Sequence, residues 1–416
     1  MVASSESPSP KSGPRPVVVV KAQRLLDVRT GRYLENAEVL IEGDRIRSIG
    51  SPVDVGSATR DKLSMIDLGP ATVLPGLIDC HTHLLSRAPE TPDGYRLNLL
   101  TKSEAFRAIE GVANAKATLE AGFTCVRDVE NEGTGYSDVA LRDAIEQGLI
   151  EGPRMQVATR GIAAVGQYLP FGISPDLRDF PTGAQMVSGV EEARRAVREQ
   201  VGHGADLIKV YADWRTPTLT VEELRVIVEE SHKLGRKVAA HATTPEGIRN
   251  AVTSGVDSIE HGHRASAENL ASMKAHGVYL VPTIGVLEEY VARTRETPEA
   301  AQAQELLRGA QETVRRAREM GLRIANGYDA SVAGRHGTNA SELEAVTKCG
   351  LSPLEAIQAA TVTAAELMTW GDRVGTLEPG KFADIVAVRG DPLVEVATLR
   401  AIPFVMKGGK VVKHAQ

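Results

Sequence analysis

The sequence predicts an α/β protein in which a central (β/α)8 barrel of the TIM type is joined to a small β-sandwich domain built from both chain termini. The barrel is indicated by the middle of the chain, where helical patterns alternate with short apolar runs. The sandwich is indicated by strand patterns at both ends. We therefore predict a disordered tail over 1–16, a composite β-domain from 17–72 and 374–416, and the barrel over 73–373.

The two ends of the chain share a pattern of short strands separated by turn residues. Gly43-Asp44 marks a turn near the N-terminus, and Gly408-Gly409 is the expected hairpin turn near the C-terminus. The predicted strands are Val17–Ala22, Ala37–Glu42, Arg45–Ile49, Met65–Leu68, Ala383–Arg389 and Pro403–Val412. Because β-rich segments lie at opposite ends of the chain, we expect one small sheet domain made from both.

The middle of the chain repeats a helix, often a glycine, and then a short apolar run. Ser103–Ala121 has apolar residues at helical spacing and is followed by Gly122. Thr220 and Glu223 form a predicted capping box at the start of another helix. The predicted barrel strands are Thr72–Ile78, Phe123–Arg127, Met155–Ala158, Leu207–Tyr211, Lys237–Ala240, Val256–Ile259, Val278–Thr283 and Leu322–Ala325.

Composition is that of an ordinary soluble protein. The chain has 416 residues, 42% of them hydrophobic, and a net charge of -6, which gives no reason to expect nucleic acid or a membrane surface as partner. The tail Met1–Pro16 is rich in Ser, Pro and Gly, and the apolar run Val17–Val20 is too short for a membrane span. Three widely spaced cysteines argue against a disulfide framework, so a cytoplasmic location is expected.

Polar residues that can bind metals follow several predicted barrel strands. In such barrels the active site lies at the carboxyl ends of the strands. Residues two apart on a strand point the same way, so His81 and His83 can share one ion. The strand-end residues are His81 and His83, Lys209, His241, His261 and His263, and Asp329.

Each of these residues has an ordinary explanation when taken alone. A strand-end lysine such as Lys209 can extend its amine to solvent, and Asp329 can cap a helix or a turn. A single buried histidine is more often a satisfied polar residue than a ligand. Five strand ends in the right order, however, supply nitrogen and oxygen ligands to one face of one barrel, which indicates a metal centre.

Four segments resemble the amidohydrolase superfamily, in the branch with two metal ions that includes imidazolonepropionase-like proteins, Xaa-Pro dipeptidases and ochratoxin-hydrolysing enzymes. They are Pro75–Leu84, Ala121–Asp128, Ser258–Gly262 and Gly375–Asp384. The resemblance covers the chain from Val17 to Val412.

The resemblance implies a pair of divalent ions, expected to be zinc. His81, His83 and Asp329 would hold one ion, and His241 and His261 the other. Lys209 would be carboxylated and, with a hydroxide, would bridge the ions, because an ammonium has no lone pair for a metal. Asp329 would carry the proton from the hydroxide to the leaving nitrogen. Cys80 is expected to point to the opposite face and pack in the core.

Substrate contacts are expected on the barrel-facing side of the same strand ends. Tyr211 follows Lys209 by two residues, and the resemblance gives it a role in binding a substrate carboxylate; the alternative is a tyrosine packed in the barrel. His263 is a second candidate. In the long loop 161–183, Gln167 or Tyr168 replaces the histidine that related sequences often carry, and the loop suits an active-site cover.

The predicted function is hydrolysis of an amide bond in N-acyl amino acids or dipeptides, with ochratoxin A as one candidate. Two alternatives stay open: a cyclic amidase or lactonase of the same superfamily, and a non-catalytic homologue that serves as an assembly module. The expected partner is a small-molecule amide substrate. The resemblance also implies a homo-oligomer, with an octamer as one form.

Overall fold

The fold is described by a computed structural model that covers residues 16–55, 63–89, 94–168, 176, 180–331 and 333–415. Of the predicted tail 1–16, all but Pro16 lies outside these residues. Helices and strands both contribute, so the chain has mixed α/β content. Among the helices of the described segments, none is long and apolar enough to cross a membrane.

The strands are short and occur in two groups at the ends and one in the middle. In chain order they are β1 Val17–Asp27, β2 Arg32–Glu42, β3 Arg45–Gly50, β4 Leu63–Asp67, β5 Ala71–Pro75, β6 Leu77–Thr82, β7 Phe123–Asp128, β8 Arg154–Val157, β9 Gly161–Ala164, β10 Ala184–Val187, β11 Leu207–Tyr211, β12 Lys237–Ala242, β13 Ser258–His261, β14 Tyr279–Val281, β15 Ile385–Arg389, β16 Phe404–Lys407 and β17 Lys410–His414.

Most helices lie between the strands of the middle group. They are α1 Gly94–Thr101, α2 Glu104–Glu120, α3 Ser137–Glu146, α4 Val190–Gly202, α5 Val221–Lys233, α6 Pro245–Ser254, α7 Ala267–His276, α8 Ile284–Thr294, α9 Ala300–Glu319, α10 Ser341–Lys348, α11 Pro353–Ala359 and α12 Val362–Leu367. The predicted capping box is present, since Thr220 and Glu223 bond reciprocally at the start of α5. Helix α6 is capped by Thr244 and ends at Gly255, whose φ is 94°.

Strands from both termini form one sheet. Its order is β17-β16-β15-β5-β1-β2-β3, and β4 pairs with β1. The connection between the two ends is the antiparallel pair β5–β15, in which Leu74 lies opposite Val386. Residues from both ends also share one apolar cluster, in which Val20 and Ile41 pack with Phe404. The two ends are thereby joined by backbone hydrogen bonds and by a common core.

The middle of the chain forms parallel sheets whose carboxyl ends point the same way. One has the order β6-β7-β8, and the other β10-β9-β11-β12-β13-β14. Backbone bonds link neighbouring segments beyond these ladders: the Asp206 N–H donates to the Val157 carbonyl at 2.8 Å, and the Cys80 N–H donates to the Asn326 carbonyl at 2.8 Å. The alternation of strand and helix therefore follows the predicted rhythm.

Three segments differ from their predicted form. The predicted strand Thr72–Ile78 is divided at Gly76, so that β5 belongs to the terminal sheet and β6 to the first parallel sheet. The predicted strand Leu322–Ala325 is reduced to one bridge between Ile324 and Leu280. The predicted loop 161–183 begins with strand β9, and much of its later part, 169–175 and 177–179, lies outside the described residues.

Gly76 marks the point where the chain passes from one sheet to the other. Its N–H donates to the Asp384 carbonyl at 2.9 Å. A Cβ atom at this position would lie 2.2 Å from Thr124 Oγ1 and 2.5 Å from Thr124 Cγ2. Because the packing of β6 against β7 leaves no room for a side chain here, the sequence requires a glycine at the division between the sheets.

We predict that Gly76→Ala destabilises the protein by about 1–3 kcal/mol, the usual cost of overpacking a buried site. The measurement is the free energy of unfolding from denaturant titration. Gly202→Ala is the matched control, because the space beside Gly202 at the end of α4 is open within 4 Å. Equal stability of the two variants would contradict the close approach of Thr124.

Candidate active site

A cavity of about 370 Å³ lies where the carboxyl ends of the parallel strands meet. Most of the residues predicted for the site line this cavity. They are His81, His83, Tyr168, Lys209, Tyr211, His241, His261, His263 and Asp329. Residues separated by up to 248 positions in the chain are thus brought to one place, as the strand-end rule predicts.

Gln167 is the exception among the predicted site residues. It is exposed at a turn after β9, where its N–H donates to the Ala164 carbonyl at 3.0 Å. It does not belong to the described lining of the cavity, whereas its neighbour Tyr168 does. The turn directs successive residues to different sides, so of the two candidates in this loop only Tyr168 reaches the site.

One group of predicted ligands is formed by His81, His83 and Asp329. Asp329 Oδ1 lies 3.3 Å from His83 Nε2 and 3.8 Å from His81 Nε2. On their far sides, His81 Nδ1 lies 2.7 Å from Glu260 Oε2 and His83 Nδ1 lies 2.9 Å from Glu132 Oε1. Both imidazoles therefore direct Nε2 towards the same aspartate.

The second group contains His241, His261 and Lys209. The ring centroids of His241 and His261 are 4.7 Å apart, and those of His81 and His261 are 4.8 Å apart, so the two groups are contiguous. His261 Nδ1 lies 2.8 Å from Thr283 Oγ1. Lys209 is 1% exposed and, within the described segments, its amine has no ion-pair partner within 4.0 Å.

Four residues that line the cavity have positive φ, which is unfavourable for residues other than glycine. They are Glu132 at 57°, His261 at 70°, Thr283 at 52° and Asp329 at 62°. For the β-branched Thr283 this conformation is a genuine outlier. Asp329 is held in place by its N–H, which donates to the His81 carbonyl at 2.7 Å. Backbone strain of this kind persists where the surrounding structure enforces it, and it is common at functional sites.

The pKa shifts of three of the four candidate imidazole ligands favour the neutral form, which can bind a metal. Burial, reinforced by the nearby amine of Lys209, lowers the pKa of His81 and of His241 well below the usual value. Burial also lowers the pKa of His261, with neighbouring imidazoles adding to the effect. Burial acts in the same direction on His83, but Glu132 and Asp329 outweigh it and raise its pKa. Neutral imidazoles retain the lone pair that a metal requires.

The geometry fits a divalent metal ion. One ligand atom each from His81, His261 and Asp329 can be chosen so that all lie within 4.8 Å of one another. His241 Nε2 is buried without a hydrogen-bond partner among the described residues, which is unusual for a polar atom. Imidazole nitrogen and carboxylate oxygen together suit zinc and similar ions. These residues could therefore hold such ions.

One wall of the cavity is aromatic. The rings of Tyr211 and Trp214 are stacked with centroids 5.1 Å apart, and Tyr168 meets Tyr211 edge to face at 5.0 Å. Trp214 also contacts His241, at 4.3 Å between centroids. Cys80, in contrast, is buried in an apolar cluster with its Sγ directed at the Ala364 carbonyl, as expected for a core residue.

Several lining residues were missed by the sequence reasoning. Glu130 and Glu132 follow strand β7, and Tyr95 on α1 donates to Glu132 Oε2 at 2.6 Å. Arg96 and Trp214 also line the cavity. The strand-end rule could have found the two glutamates, since they lie within four residues of Asp128, the last residue of β7. No pattern in the sequence indicates that α1 reaches the site.

The fold, the cavity and the ligand geometry together define a member of the amidohydrolase family, and the chain belongs to that family because its family model matches residues 72–413. The chain is 31% identical to ochratoxinase from Aspergillus niger over 417 residues, covering 92% of this chain and 84% of the relative.

Two solved structures are similar over almost their whole length. A Xaa-Pro dipeptidase with methionine bound in its active site has a TM-score of 0.86 and 32% identity, covering 95% of this chain and 99% of that one. A prolidase in complex with N-methylphosphonate-L-proline has a TM-score of 0.84 and 29% identity, covering 96% and 100%.

We predict that Gly161→Ala lowers kcat/KM roughly tenfold or more, because small displacements of positioning groups are costly to catalysis. A Cβ atom at Gly161 would lie 2.7 Å from the Tyr211 ring and 3.5 Å from Lys209 Cγ. The measurements are the rate of amide hydrolysis, which should fall, and the amount of bound metal, which should stay unchanged. Gly371→Ala, beside open space, is the control. Unchanged turnover in Gly161→Ala would show that the position of Tyr211 is not limiting.

Proposed function

We propose that this protein is a metal-dependent hydrolase that cleaves the amide bond of N-acyl amino acids or dipeptides whose nitrogen-side residue has a free carboxylate. The observation that carries this proposal is the convergence of the four candidate imidazole ligands, Lys209 and Asp329 in one cavity beside Tyr211. Membership of the amidohydrolase family supports hydrolysis of an amide. The similarity to ochratoxinase and to a Xaa-Pro dipeptidase supports this choice of substrates.

The proposed architecture completes the observed sheets. We propose that the parallel strands close into a (β/α)8 barrel that begins with β6 after Gly76 and ends near residue 373. The terminal sheet, which includes β5, would form a β-sandwich domain from 17–75 and 374–416. The bond from the Cys80 N–H to the Asn326 carbonyl supports closure, because it joins β6 to the segment that follows Ile324. A closed barrel would explain why all the ligands converge on one face.

The proposed metal centre uses six side chains. His81, His83 and Asp329 would hold one divalent ion, most simply zinc, and His241 and His261 the second. Carboxylated Lys209 would lie between them. When bound, the ions would make hydroxide available near neutral pH and polarise the scissile carbonyl.

The surroundings of Lys209 support its carboxylation. A buried ammonium without an ion pair is costly, and burial lowers the pKa of this amine. As a neutral amine, its Nζ can add to carbon dioxide: one N–C bond forms and one proton is released. The product is an anionic carbamate with oxygen ligands.

The remaining steps belong to the side chains. Asp329 is 20% exposed on its side chain and lies beside His83, where it can accept a proton from the attacking water and deliver it to the leaving nitrogen. Tyr211, on the strand that carries Lys209, would donate a hydrogen bond to the substrate carboxylate. The aromatic wall formed by Tyr168, Tyr211 and Trp214 would contact an apolar or aromatic group.

His263 is a second proposed substrate contact. It lines the cavity, and its Nε2 is buried without a hydrogen-bond partner among the described residues. Homo-oligomeric assembly, with an octamer as one form, and a cytoplasmic location stay predictions from the sequence.

We predict that Lys209→Ala loses most of the amide hydrolysis activity and that added short carboxylic acids restore part of it. The carboxylic acid would supply the oxygen ligands that the carbamate normally provides. Elemental analysis should find two divalent ions per wild-type chain and fewer in the variant. Lys237→Ala is the control, since Lys237 lies at the opposite end of the neighbouring strand β12.

Two outcomes would contradict this bridge. Full turnover in Lys209→Ala would show that the bridging residue is misassigned. No more than one ion per fully loaded wild-type chain would contradict a centre with two metals, whatever the activity of the variant.

We predict that Tyr211→Phe lowers kcat/KM for free-acid substrates roughly ten- to a hundredfold, because a hydrogen bond to a charged group contributes about 1.5–3 kcal/mol. Suitable substrates are ochratoxin A and Xaa-Pro dipeptides, each compared with its C-terminal ester or amide. Tyr279→Phe is the matched control, because the Tyr279 hydroxyl accepts from Arg323 Nη1 at 2.8 Å outside the described cavity lining.

The wild-type enzyme should prefer the free acid, and Tyr211→Phe should remove that preference. Equal kcat/KM for the free acid and the ester in the wild type would contradict carboxylate recognition. That result would favour a cyclic amidase or a lactonase of the same family.

A further inference from the structure

A buried ion pair lies beside His81 Nδ1, on the side of the ring away from Nε2. Arg127 on β7 and Glu260 on β13 are 2% and 0% exposed, and Arg127 Nη2 donates to Glu260 Oε1 at 2.7 Å. The other carboxylate oxygen, Oε2, lies 2.7 Å from Nδ1 of His81 on β6. A continuous chain of contacts therefore joins three strands and ends at a candidate metal ligand.

The position of each group in this chain is fixed by further hydrogen bonds. Ser258 Oγ donates to Glu260 Oε1 at 2.5 Å and accepts from Arg127 Nη1 at 3.2 Å. Arg127 Nε donates to the carbonyl of Cys80, the residue before His81, at 2.6 Å. Both oxygens of the carboxylate are thus engaged, which leaves Glu260 little freedom to rotate away from the imidazole.

The backbone at the end of β13 makes this arrangement possible. Successive residues of a strand normally point to opposite faces. Glu260 and His261 are adjacent, but Glu260 contacts His81, and the His261 ring also lies 4.8 Å from the His81 ring. His261 leaves the strand conformation with a φ of 70°, which turns its side chain back to the site. The strain at His261 therefore allows neighbouring residues to act on the same centre.

We propose that Arg127 and Glu260 are positioning residues that hold His81 as the Nδ1–H tautomer and so direct the lone pair of Nε2 at the metal position. A carboxylate within 2.7 Å of Nδ1 requires the proton on that nitrogen. Arg127 fixes the charge and the orientation of the carboxylate. This inference rests on the proposed function for the metal itself, but the tautomer is a property of the chain without metal.

A purely structural role explains the arrangement less well. Ion pairs that are fully buried often contribute little net stability compared with apolar residues of similar size. Carboxylates that accept from the second nitrogen of a ligating histidine make the imidazole a stronger ligand, and changing them typically weakens metal binding ten- to a hundredfold. The direct contact of Glu260 with His81 therefore favours a role in metal binding.

The test compares Glu260→Gln with Asp384→Asn. Asp384 is the control because its buried carboxylate also pairs with an arginine, Arg154 at 3.2 Å, and has no contact with a candidate ligand. Zinc affinity is measured by competition with a chromophoric chelator, and folding by circular dichroism. We expect Glu260→Gln to bind zinc roughly ten- to a hundredfold more weakly, and Asp384→Asn to match the wild type. Equal affinities for the two folded variants would overturn the proposal.

The double variant Arg127→Gln/Glu260→Gln covers the case in which Glu260→Gln does not fold. It removes both charges, so no unpaired ion is left buried. The proposal expects the same loss of zinc affinity from the double variant, and wild-type affinity in this variant would overturn it.

A second measurement does not depend on metal binding. Long-range 1H–15N correlation spectra of the metal-free wild type, labelled at histidine and assigned with His81→Asn, identify which nitrogen of His81 carries the proton. We expect Nδ1–H in the wild type and a loss of that preference in the double variant. An Nε2–H tautomer in the wild type would overturn the inference. Failure of the wild type to bind zinc would instead contradict the proposed function, and the tautomer result would stand.

Discussion

The site depends on the burial of several groups that would otherwise be hydrated. His81, Lys209 and His261 are each less than 10% exposed in one cavity. A buried imidazole needs a polar partner or a ligand at each of its two nitrogens. The Nδ1 atoms of His81, His83 and His261 lie beside Glu260, Glu132 and Thr283, respectively. The Nε2 atoms are left to face the centre of the cavity, where a metal would satisfy them.

The terminal sheet contributes to the site by fixing the strands that carry it. Asp384 receives two hydrogen bonds from Arg154 on β8, and its carbonyl accepts from Gly76 just before β6. The Phe382 ring lies between the guanidinium groups of Arg45 and Arg154, each 3.6 Å from the ring centroid. These contacts lie at the amino ends of β6 and β8, opposite the cavity. The sheet therefore stabilises the scaffold without entering the site.

The sequence was most informative where local pattern and position in a strand coincide. The convergence of the candidate ligands could be predicted because each lies in or just after an apolar run, and side chains at the carboxyl ends of neighbouring parallel strands meet at one site. Tyr95 and Arg96 could not, because their place depends on how α1 packs. The division at Gly76 was missed because β5 and β6 are both buried throughout, so their apolar patterns run together. Gln167 was misplaced because one residue in a turn decides which side chain faces the cavity.

Tyr168 connects two chemically different walls of the cavity. Its hydroxyl donates to Glu130, while its ring contacts Tyr211. Burial raises the pKa of Glu130 to about 8, with Glu132 adding to the effect. Burial also acts to raise the pKa of Glu132, but His83 reverses the shift and favours its anion. The pKa values of the two glutamates are thus shifted in opposite directions although the residues are two positions apart. The glutamate that favours the anion lies beside the candidate ligand His83, whereas burial favours the neutral form of Glu130 next to the aromatic rings, which suits that part of the wall to a less polar group.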